Sequence, residues 1–381
     1  MAARWVLSPS RYWMTRFLSP AELRRTGCLR VRCTAVAMTT APVVAKIPRG
    51  SQKERQEENK RRGGVLWAAF ALSLFGQQEQ KDEVQEKHDE MVLLLKKAKL
   101  SIYRGNMEDA TDFLHKAVVL AHQLQDQAAI IYTYIQMANL AFVRGQLDSA
   151  EKLFKAAMSF MLSGGTAQDD NAIIEMSLKL ATIYAEQNKK ELAEHGFRFC
   201  LDSLEAKLKQ LCKQPPGKEV AGEVTGHVLT GEEEDLRKET RLLLGLCLDS
   251  RARYRMSFRQ LDQAETDYRS ALDICAQEQG EAHPQTLVLM SDLATVLDLQ
   301  GRYDEALVLV QKAVDLGRLA RNEDQHVLLS NLAGVLLHMG RYEEAERIYK
   351  EAMFQAKQVG DQATQDQIQE SLEELMRRKQ K

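Results

Sequence analysis

Two nearly identical six-residue stretches constrain the fold of this 381-residue chain more than any other feature. Residues 301–306 read GRYDEA and residues 340–345 read GRYEEA, so the second stretch begins 39 residues after the first. Each follows a Leu-Ala pair and precedes a further Ala seven residues after its own last Ala. Close similarity at such a period indicates an array of stacked repeats.

The pattern predicts a helix–turn–helix in each repeat. Small Ala residues let two antiparallel helices approach closely, while Leu, Tyr and Val fill the spaces beside them. Gly301 and Gly340 are predicted to end the first helix in the left-handed conformation, which penalises a Cβ atom. Tyr303 and Tyr342 then begin the second helix. These stretches resemble tetratricopeptide repeats.

An alignment on the small residue of each second helix gives six repeats. The aligned residues are Ala110, Ala150, Ala193, Ala264, Ala306 and Ala345. The fourth repeat fits least well, because Arg255 and Arg259 occupy positions where an apolar residue and Gly are usual. The sequence therefore predicts an all-α, tetratricopeptide-type helical-hairpin solenoid of about six repeats. A spacing near 40 residues also resembles kinesin light chains, which makes a peptide-binding cargo adaptor the alternative function.

Charge divides the chain into a basic leader and an acidic array. Residues 1–62 contain 14 Lys and Arg against 4 Asp and Glu, whereas residues 63–381 carry a net charge of −12. An Arg-rich, acid-poor leader is typical of a mitochondrial presequence and predicts disorder. An acidic array is unsuited to nucleic acid, whose phosphates require clustered Lys and Arg. The predicted segments are the leader 1–62, an apolar segment 63–76, a linker 77–90, repeats one to three 91–204, a flexible insert 205–231, repeats four to six 232–359, and a capping helix 360–381.

The apolar segment 63–76 leaves its membrane relationship open. As a helix, its apolar part would cover about 16 Å of a hydrocarbon core that is about 30 Å thick. It is a short membrane-associated segment, a sorting signal, or an apolar stretch of the leader. The basic residues 60–62 favour a matrix-side N-terminus if the segment spans, which places the array on the other side. Association without spanning leaves the array in the matrix, the side that the family resemblance described below favours.

No arrangement of residues predicts catalysis. The six cysteines form no C-x-x-C pair, and Cys200 and Cys275 are predicted to be buried free thiols. The eight histidines show no metal-ligand spacing, and no Gly-rich phosphate loop is present. The sequence therefore predicts a protein that is not an enzyme and has no cofactor, no metal and no small-molecule substrate.

The predicted binding surface is the face lined by the first helix of each repeat. Aromatic and amide side chains there are suited to an extended peptide, through apolar pockets and backbone hydrogen bonds. The candidates are Tyr132, Gln136, Asn139, Phe142, Lys179, Asp292 and Asn331. Chaperone-tail binding is disfavoured, because Ile135 and Lys179 stand where tetratricopeptide domains of that class have Lys and Asn.

Four stretches resemble a family of mitochondrial tetratricopeptide repeat proteins. They are residues 137–147, 170–175, 178–184 and 283–295, and the likeness extends over about residues 90–357. This resemblance implies a scaffold at the inner mitochondrial membrane whose partners are subunits of respiratory complex III. It further implies that the protein helps to clear fragments of the Rieske iron–sulfur subunit.

Overall fold

The computed structural model describes residues 83–211 and 231–380, and every regular element in these two ranges is an α-helix. Thirteen helices are present there, as six consecutive helical hairpins and one final helix. This arrangement confirms the predicted all-α array of six hairpins. The predictions for the disordered leader, the apolar segment 63–76 and most of the insert fall on residues 1–82 and 212–230, which lie outside the described residues.

Most consecutive helices are joined by short connections, whereas residues 212–230 separate α6 from α7. In chain order they are α1 (83–103), α2 (Met107–Gln123), α3 (Gln127–Val143), α4 (Leu147–Ser163), α5 (Asn171–Glu186), α6 (Lys190–Leu211), α7 (Gly231–Ser257), α8 (Leu261–Gln279), α9 (Pro284–Leu299), α10 (Tyr303–Ala320), α11 (Gln325–His338), α12 (Tyr342–Val359) and α13 (Gln362–Lys379). None of these described helices is long and apolar enough to cross a membrane.

The chain divides into two compact units at Gly164 and Gly165. The described part of the N-terminal unit contains α1–α4. Its core is built on fully buried alanines at repeat positions, such as Ala110 and Ala150, beside the larger Leu114 and Phe154. The alternation of small and large side chains lets the helices of each hairpin interdigitate, as the repeat pattern predicts.

The described part of the C-terminal unit contains α5–α13. Ala193, Ala264, Ala306 and Ala345 are again fully buried. Gly196 allows α5 and α6 to approach closely, because a Cβ atom there would lie only 2.7 Å from the Cβ of Ala181 and would separate the two helices. The main core of the C-terminal unit extends along α8–α13 and includes Ala252 of α7.

Two helices extend beyond the segment limits that the sequence predicts. Helix α1 already contains residues 83–90, and α6 continues through residues 205–211. The extension of α6 is anchored by the buried Leu204 and by Lys207, whose Nζ donates to Asn171 Oδ1 at 2.9 Å. Helix α13 buries Ile368 and Leu375 completely, so its apolar stripe covers the end of the core.

The turns inside the hairpins depend on residues in the left-handed conformation. Gly301 and Gly340 have φ angles of +79° and +77°, as the sequence predicts for residues that end a first helix. In the fourth hairpin Arg259 occupies the equivalent turn with a φ angle of +58°. A side chain in the left-handed conformation costs about 1–2 kcal/mol. The turn of the fourth hairpin is therefore less stable than the turns of the fifth and sixth hairpins.

Replacing Arg259 with Gly is therefore expected to stabilise the protein. The substitution removes the strain of the left-handed conformation, while the greater freedom of Gly in the unfolded chain offsets part of this gain. The free energy of unfolding should therefore increase by roughly 0.5–1 kcal/mol. Urea denaturation of the Arg259→Gly variant measures the change. Gly340→Ala is the matched counterpart, and its free energy of unfolding should be about 1 kcal/mol lower than that of the wild type. Equal effects of both substitutions on the unfolding free energy would contradict this account of the turns.

Candidate functional site

Four of the predicted binding residues lie on one helix of the N-terminal unit. Tyr132, Gln136 and Asn139 are spaced four and three residues apart on α3, and Phe142 follows after three more. This spacing places them along one side of the helix, and we call the four residues the α3 stripe. Tyr132, Asn139 and Phe142 are half-buried, whereas Gln136 is only 5% exposed.

Local sequence fixes the helix that carries the α3 stripe. Asp126 caps its N-terminus, and the carboxylate accepts a hydrogen bond from the backbone N–H of Ala129 at 3.0 Å. The helix packs against α2 and α4, which bury Ile130, Ala138 and Leu140. Burial raises the pKa of the Tyr132 hydroxyl, which therefore stays neutral near pH 7.

Asn139 carries an unsatisfied group within the α3 stripe. Its Nδ2 atom is buried and has no hydrogen-bond partner among the described residues. Leaving a buried amide donor unpaired costs about 1–3 kcal/mol, so such groups are rare in folded proteins. In the described conformation this atom is shielded, so it becomes a candidate donor to a partner's carbonyl oxygen only when the Asn139 side chain turns outward.

The other three predicted residues lie in the C-terminal unit, and each of them has an interaction within the chain. Asp292 on α9 is 7% exposed, and Arg253 Nη2 on α7 lies 2.8 Å from its Oδ2 atom. Asn331 on α11 donates from Nδ2 to Ser291 Oγ at 2.8 Å. Lys179 on α5 is buried at 4% exposure. These side chains stabilise contacts inside the unit rather than presenting free groups on its surface.

The pairs of Asp292 and Asn331 belong to a larger set that we call the polar ladder. Each pair joins the first helix of one hairpin to that of the next, or to the final helix α13 and its N-cap. Its members are Asn171 with Thr240, Arg253 with Asp292, Ser291 with Asn331, Asp298 with His338, and His326 with Asp361, at 2.7–3.1 Å. Residues that the sequence pattern placed in a binding groove thus connect consecutive repeats.

Within the polar ladder, Arg253 contacts two buried carboxylates at once. Its guanidinium lies 2.9 Å from Asp249 Oδ1 and 2.8 Å from Asp292 Oδ2, and both carboxylates are buried. Burial raises the pKa of Asp292 to about 6, although the nearby Arg253 opposes the shift. For Arg253 itself, burial acts to lower the pKa, but Asp249 and Asp292 together raise it well above its usual value. Arg253 therefore remains charged and holds two buried carboxylates in place.

A second charged cluster explains why the fourth repeat departs from the sequence pattern. Arg251 Nη2 and Arg255 Nη1 each lie 2.6 Å from a carboxylate oxygen of Asp267 on α8. The arginines therefore join α7 to α8, where other hairpins use apolar contacts. The sequence signal is an Arg at every second position from residue 251 to residue 255, close to Asp249 and Asp267. Recognising the cluster from sequence requires knowing which carboxylates face these arginines.

The described residues contain no group of three or more His, Cys, Asp or Glu side chains placed to hold a metal ion. Cys200, Cys247 and Cys275 are free and buried. The predicted burial of Cys200 and Cys275 is thereby confirmed. Burial is also the main cause that raises the pKa of the Cys247 thiol well above its usual value, so this thiol is protonated at neutral pH.

Comparison with known proteins defines the class of the fold. Two family models described as tetratricopeptide repeat match residues 246–318 and 299–364. Among solved structures, a signal-transduction ATPase from Pyrococcus horikoshii with a tetratricopeptide repeat sensor has a TM-score of 0.50 at 13% identity. That alignment covers 72% of this chain and 36% of the ATPase chain. With its six hairpins and buried alanines, the chain is a tetratricopeptide repeat solenoid.

Curated relatives define the family more narrowly. The zebrafish protein named tetratricopeptide repeat protein 19, mitochondrial, is 60% identical over 72% of this chain and 66% of its own length. The mouse protein of the same name is 46% identical over 97% of both chains. The human protein is 45% identical over 88% of this chain and 82% of its own length. The chain therefore belongs to the tetratricopeptide repeat protein 19 family.

Proposed function

We propose that this protein is a non-catalytic scaffold that binds respiratory complex III at the inner mitochondrial membrane and supports its assembly or maintenance. In this role it helps to clear fragments of the Rieske iron–sulfur subunit, while another protein performs the proteolysis. The single observation that carries the mitochondrial part is the family membership, because relatives that match over most of this chain are named mitochondrial. The link to complex III rests on the resemblance to that family.

The surface that we assign to partner binding is the α3 stripe. Tyr132 and Phe142 provide aromatic contacts that are only partly covered, and Asn139 provides a donor without a partner among the described residues. An extended peptide would place apolar side chains against the two rings and a backbone carbonyl oxygen near Asn139 Nδ2. A peptide fragment or an extended segment of a subunit meets these requirements.

The polar groups of the C-terminal unit are less suited to the same role. Asp292 already forms an ion pair with Arg253, and Asn331 donates a hydrogen bond to Ser291, so a ligand would have to replace contacts that hold consecutive repeats together. Breaking such a pair leaves a buried polar group without a partner, which is unfavourable. We therefore assign these residues to stabilisation of the scaffold and the α3 stripe to recognition.

The location that we propose is the matrix side of the inner membrane. The Arg-rich leader directs the chain to the mitochondrion, and the apolar segment 63–76 associates with the membrane without crossing it. This arrangement leaves the array in the compartment that the leader enters. A version that lacks residues 1–76 should remain outside mitochondria, which fractionation of cells that express it would detect.

Affinity capture of the tagged full chain from mitochondria in mild detergent tests the proposed partner. We expect complex III subunits, including the Rieske protein, to be recovered with the wild type. Joint replacement of Tyr132 and Phe142 with Ala should reduce that recovery at least fivefold, because aromatic side chains often dominate binding energy. The matched control replaces the exposed Val308 and Phe354, which are 72% and 63% exposed, with Ala. Recovery of motor subunits in place of complex III would instead support the cargo-adaptor function.

A further inference from the structure

A cavity of about 360 Å³ opens in the N-terminal unit, away from the α3 stripe. It lies between the second helices of the first two hairpins, α2 and α4, and the C-terminal end of α3. Its volume is at the lower end of the range of about 300–1,000 Å³ that is common for ligand sites. No residue of the α3 stripe lines this cavity.

The lining of the cavity has an unusual charge for this chain. It contains three basic side chains, those of His115, Arg144 and Lys152, and no residue of the lining is acidic. Residues 63–381 as a whole carry a net charge of −12, so the cavity is a local concentration of positive charge on an acidic body. A cleft lined by one sign of charge attracts ligands of the opposite sign.

Two of the basic groups are held in place by Thr111. Arg144 Nη1 donates to Thr111 Oγ1 at 3.1 Å, and the Thr111 hydroxyl in turn donates to the carbonyl oxygen of Met107 at 2.8 Å. His115 Nδ1 lies 2.8 Å from the carbonyl oxygen of Thr111. Lys152 has no hydrogen bond or ion pair among the described residues, in contrast to Lys155 on the same helix, whose Nζ lies 2.7 Å from Glu151. The cavity therefore presents a guanidinium that is held by a hydrogen bond and an ammonium group. Neither group has an acidic partner among the described residues.

Apolar side chains complete the lining. Leu114 and Leu140 are buried at 1% and 5% exposure, and Met137 and Leu153 are half-buried beside them. The combination of an apolar surface with adjacent cationic groups fits a ligand that carries a carboxylate next to an apolar side chain. An acidic peptide segment has this chemistry, whereas the chain's own leader is strongly basic and does not.

We propose that this cavity is a second protein-binding site, which binds a short acidic peptide segment of a partner. An apolar side chain of the segment contacts Leu114 and Leu140, and a neighbouring carboxylate lies between Arg144 and Lys152. The site is separate from the α3 stripe and does not depend on complex III being the partner. It gives the scaffold two recognition surfaces of different chemistry in one unit.

Fluorescence anisotropy with the full chain tests the proposal. The probe is a labelled hexapeptide of alternating Leu and Glu, and the comparison probe carries Gln in place of every Glu. We expect the Glu peptide to bind at least tenfold more tightly, since hydrogen bonds to charged groups contribute more than neutral ones. Binding should weaken as salt concentration rises, because the charges involved are partly exposed.

Single substitutions locate the binding. Arg144→Gln and Lys152→Gln should each weaken binding of the Glu peptide about tenfold. Lys116→Gln removes the same charge from an exposed position on α2 outside the cavity, and it should change the affinity less than twofold. Because Lys152 is exposed and makes no hydrogen bond or ion pair among the described residues, Lys152→Gln is expected to leave the fold intact, and a loss of binding then reports on the cavity.

Three results would overturn the proposal. Equal binding of the Glu and Gln peptides would show that the carboxylates are not recognised. An equal loss of affinity in Lys116→Gln and Lys152→Gln would place the effect in the general charge of the unit rather than in the cavity. Full displacement of the peptide by an equal concentration of inorganic phosphate would make the cavity a site for small anions and not for a peptide.

Discussion

Replacing Arg253 with Met is expected to lower the free energy of unfolding by about 3–5 kcal/mol at pH 7. The guanidinium lies between Asp249 and Asp292, whose carboxylates are buried. Without Arg253, these two carboxylates remain buried and lose the guanidinium that lies beside both of them. The cost arises from the carboxylates that remain, because a buried charge that loses its partner is strongly unfavourable.

Urea denaturation of the Arg253→Met variant measures this effect, and two comparisons isolate its cause. Arg341→Met removes an exposed pair with Glu344, and such a pair contributes little to stability because water screens its charges. Adding Asp292→Asn to Arg253→Met should restore part of the lost stability, since one of the unpaired carboxylates is then absent. Similar losses in Arg253→Met and Arg341→Met, or no rescue by Asp292→Asn, would show that the contacts of Arg253 with Asp249 and Asp292 are not the source of this stability.

Asp292 is also expected to make stability depend on pH in a direction opposite to that of most carboxylates. Its pKa in the folded protein is raised to about 6, above the ordinary value of 3.8 for an Asp side chain. Between about pH 4 and pH 6 the folded state therefore holds a proton that the unfolded state has released. The free energy of unfolding falls as the pH rises through this window, by up to about 3 kcal/mol from this residue.

The Asp292→Asn variant separates this contribution from that of other titrating groups. Asn does not titrate, so the difference in unfolding free energy, variant minus wild type, should grow in favour of the variant from pH 4 to pH 7. Asp249 still pairs with Arg253 in the variant, so the guanidinium keeps one buried partner. Parallel pH profiles for the two proteins would contradict the raised pKa of Asp292.

The repeat pattern was sufficient to predict the helical hairpins because their determinants are local. Gly301 and Gly340 adopt the left-handed conformation, and the aligned alanines from Ala110 to Ala345 are fully buried. These properties depend on spacing within one hairpin and on backbone sterics, both of which are visible in the sequence. The positions of Cys200 and Cys275 follow from the same register.

The polar ladder could not be predicted in the same way, because its pairs join residues about 35–70 positions apart. Sequence spacing placed Asp292 and Asn331 on first helices but did not show that Arg253 and Ser291 would reach them. Arg259 illustrates a related difficulty, since it occupies a turn where the pattern leads one to expect Gly. In both cases the deciding contact or conformation belongs to the assembled array rather than to one repeat.

The division of roles between the two units follows from these contacts. The C-terminal unit uses its polar first-helix residues to bind successive repeats to one another. The N-terminal unit retains partly covered aromatic rings on α3 and the Nδ2 group of Asn139, which has no hydrogen-bond partner in the part of the chain that the structure describes. As binding residues, the seven positions chosen from sequence stay predictions.

We propose that the protein promotes removal of Rieske fragments from complex III, and one measurement tests this role most directly. Complex III is isolated from cells that lack the protein, and the Rieske fragments bound to it are quantified by mass spectrometry. We predict that fragments accumulate, that the wild type clears them when it is restored, and that the Tyr132→Ala, Phe142→Ala double variant does not. Unchanged fragment levels in the absence of the protein would contradict the account.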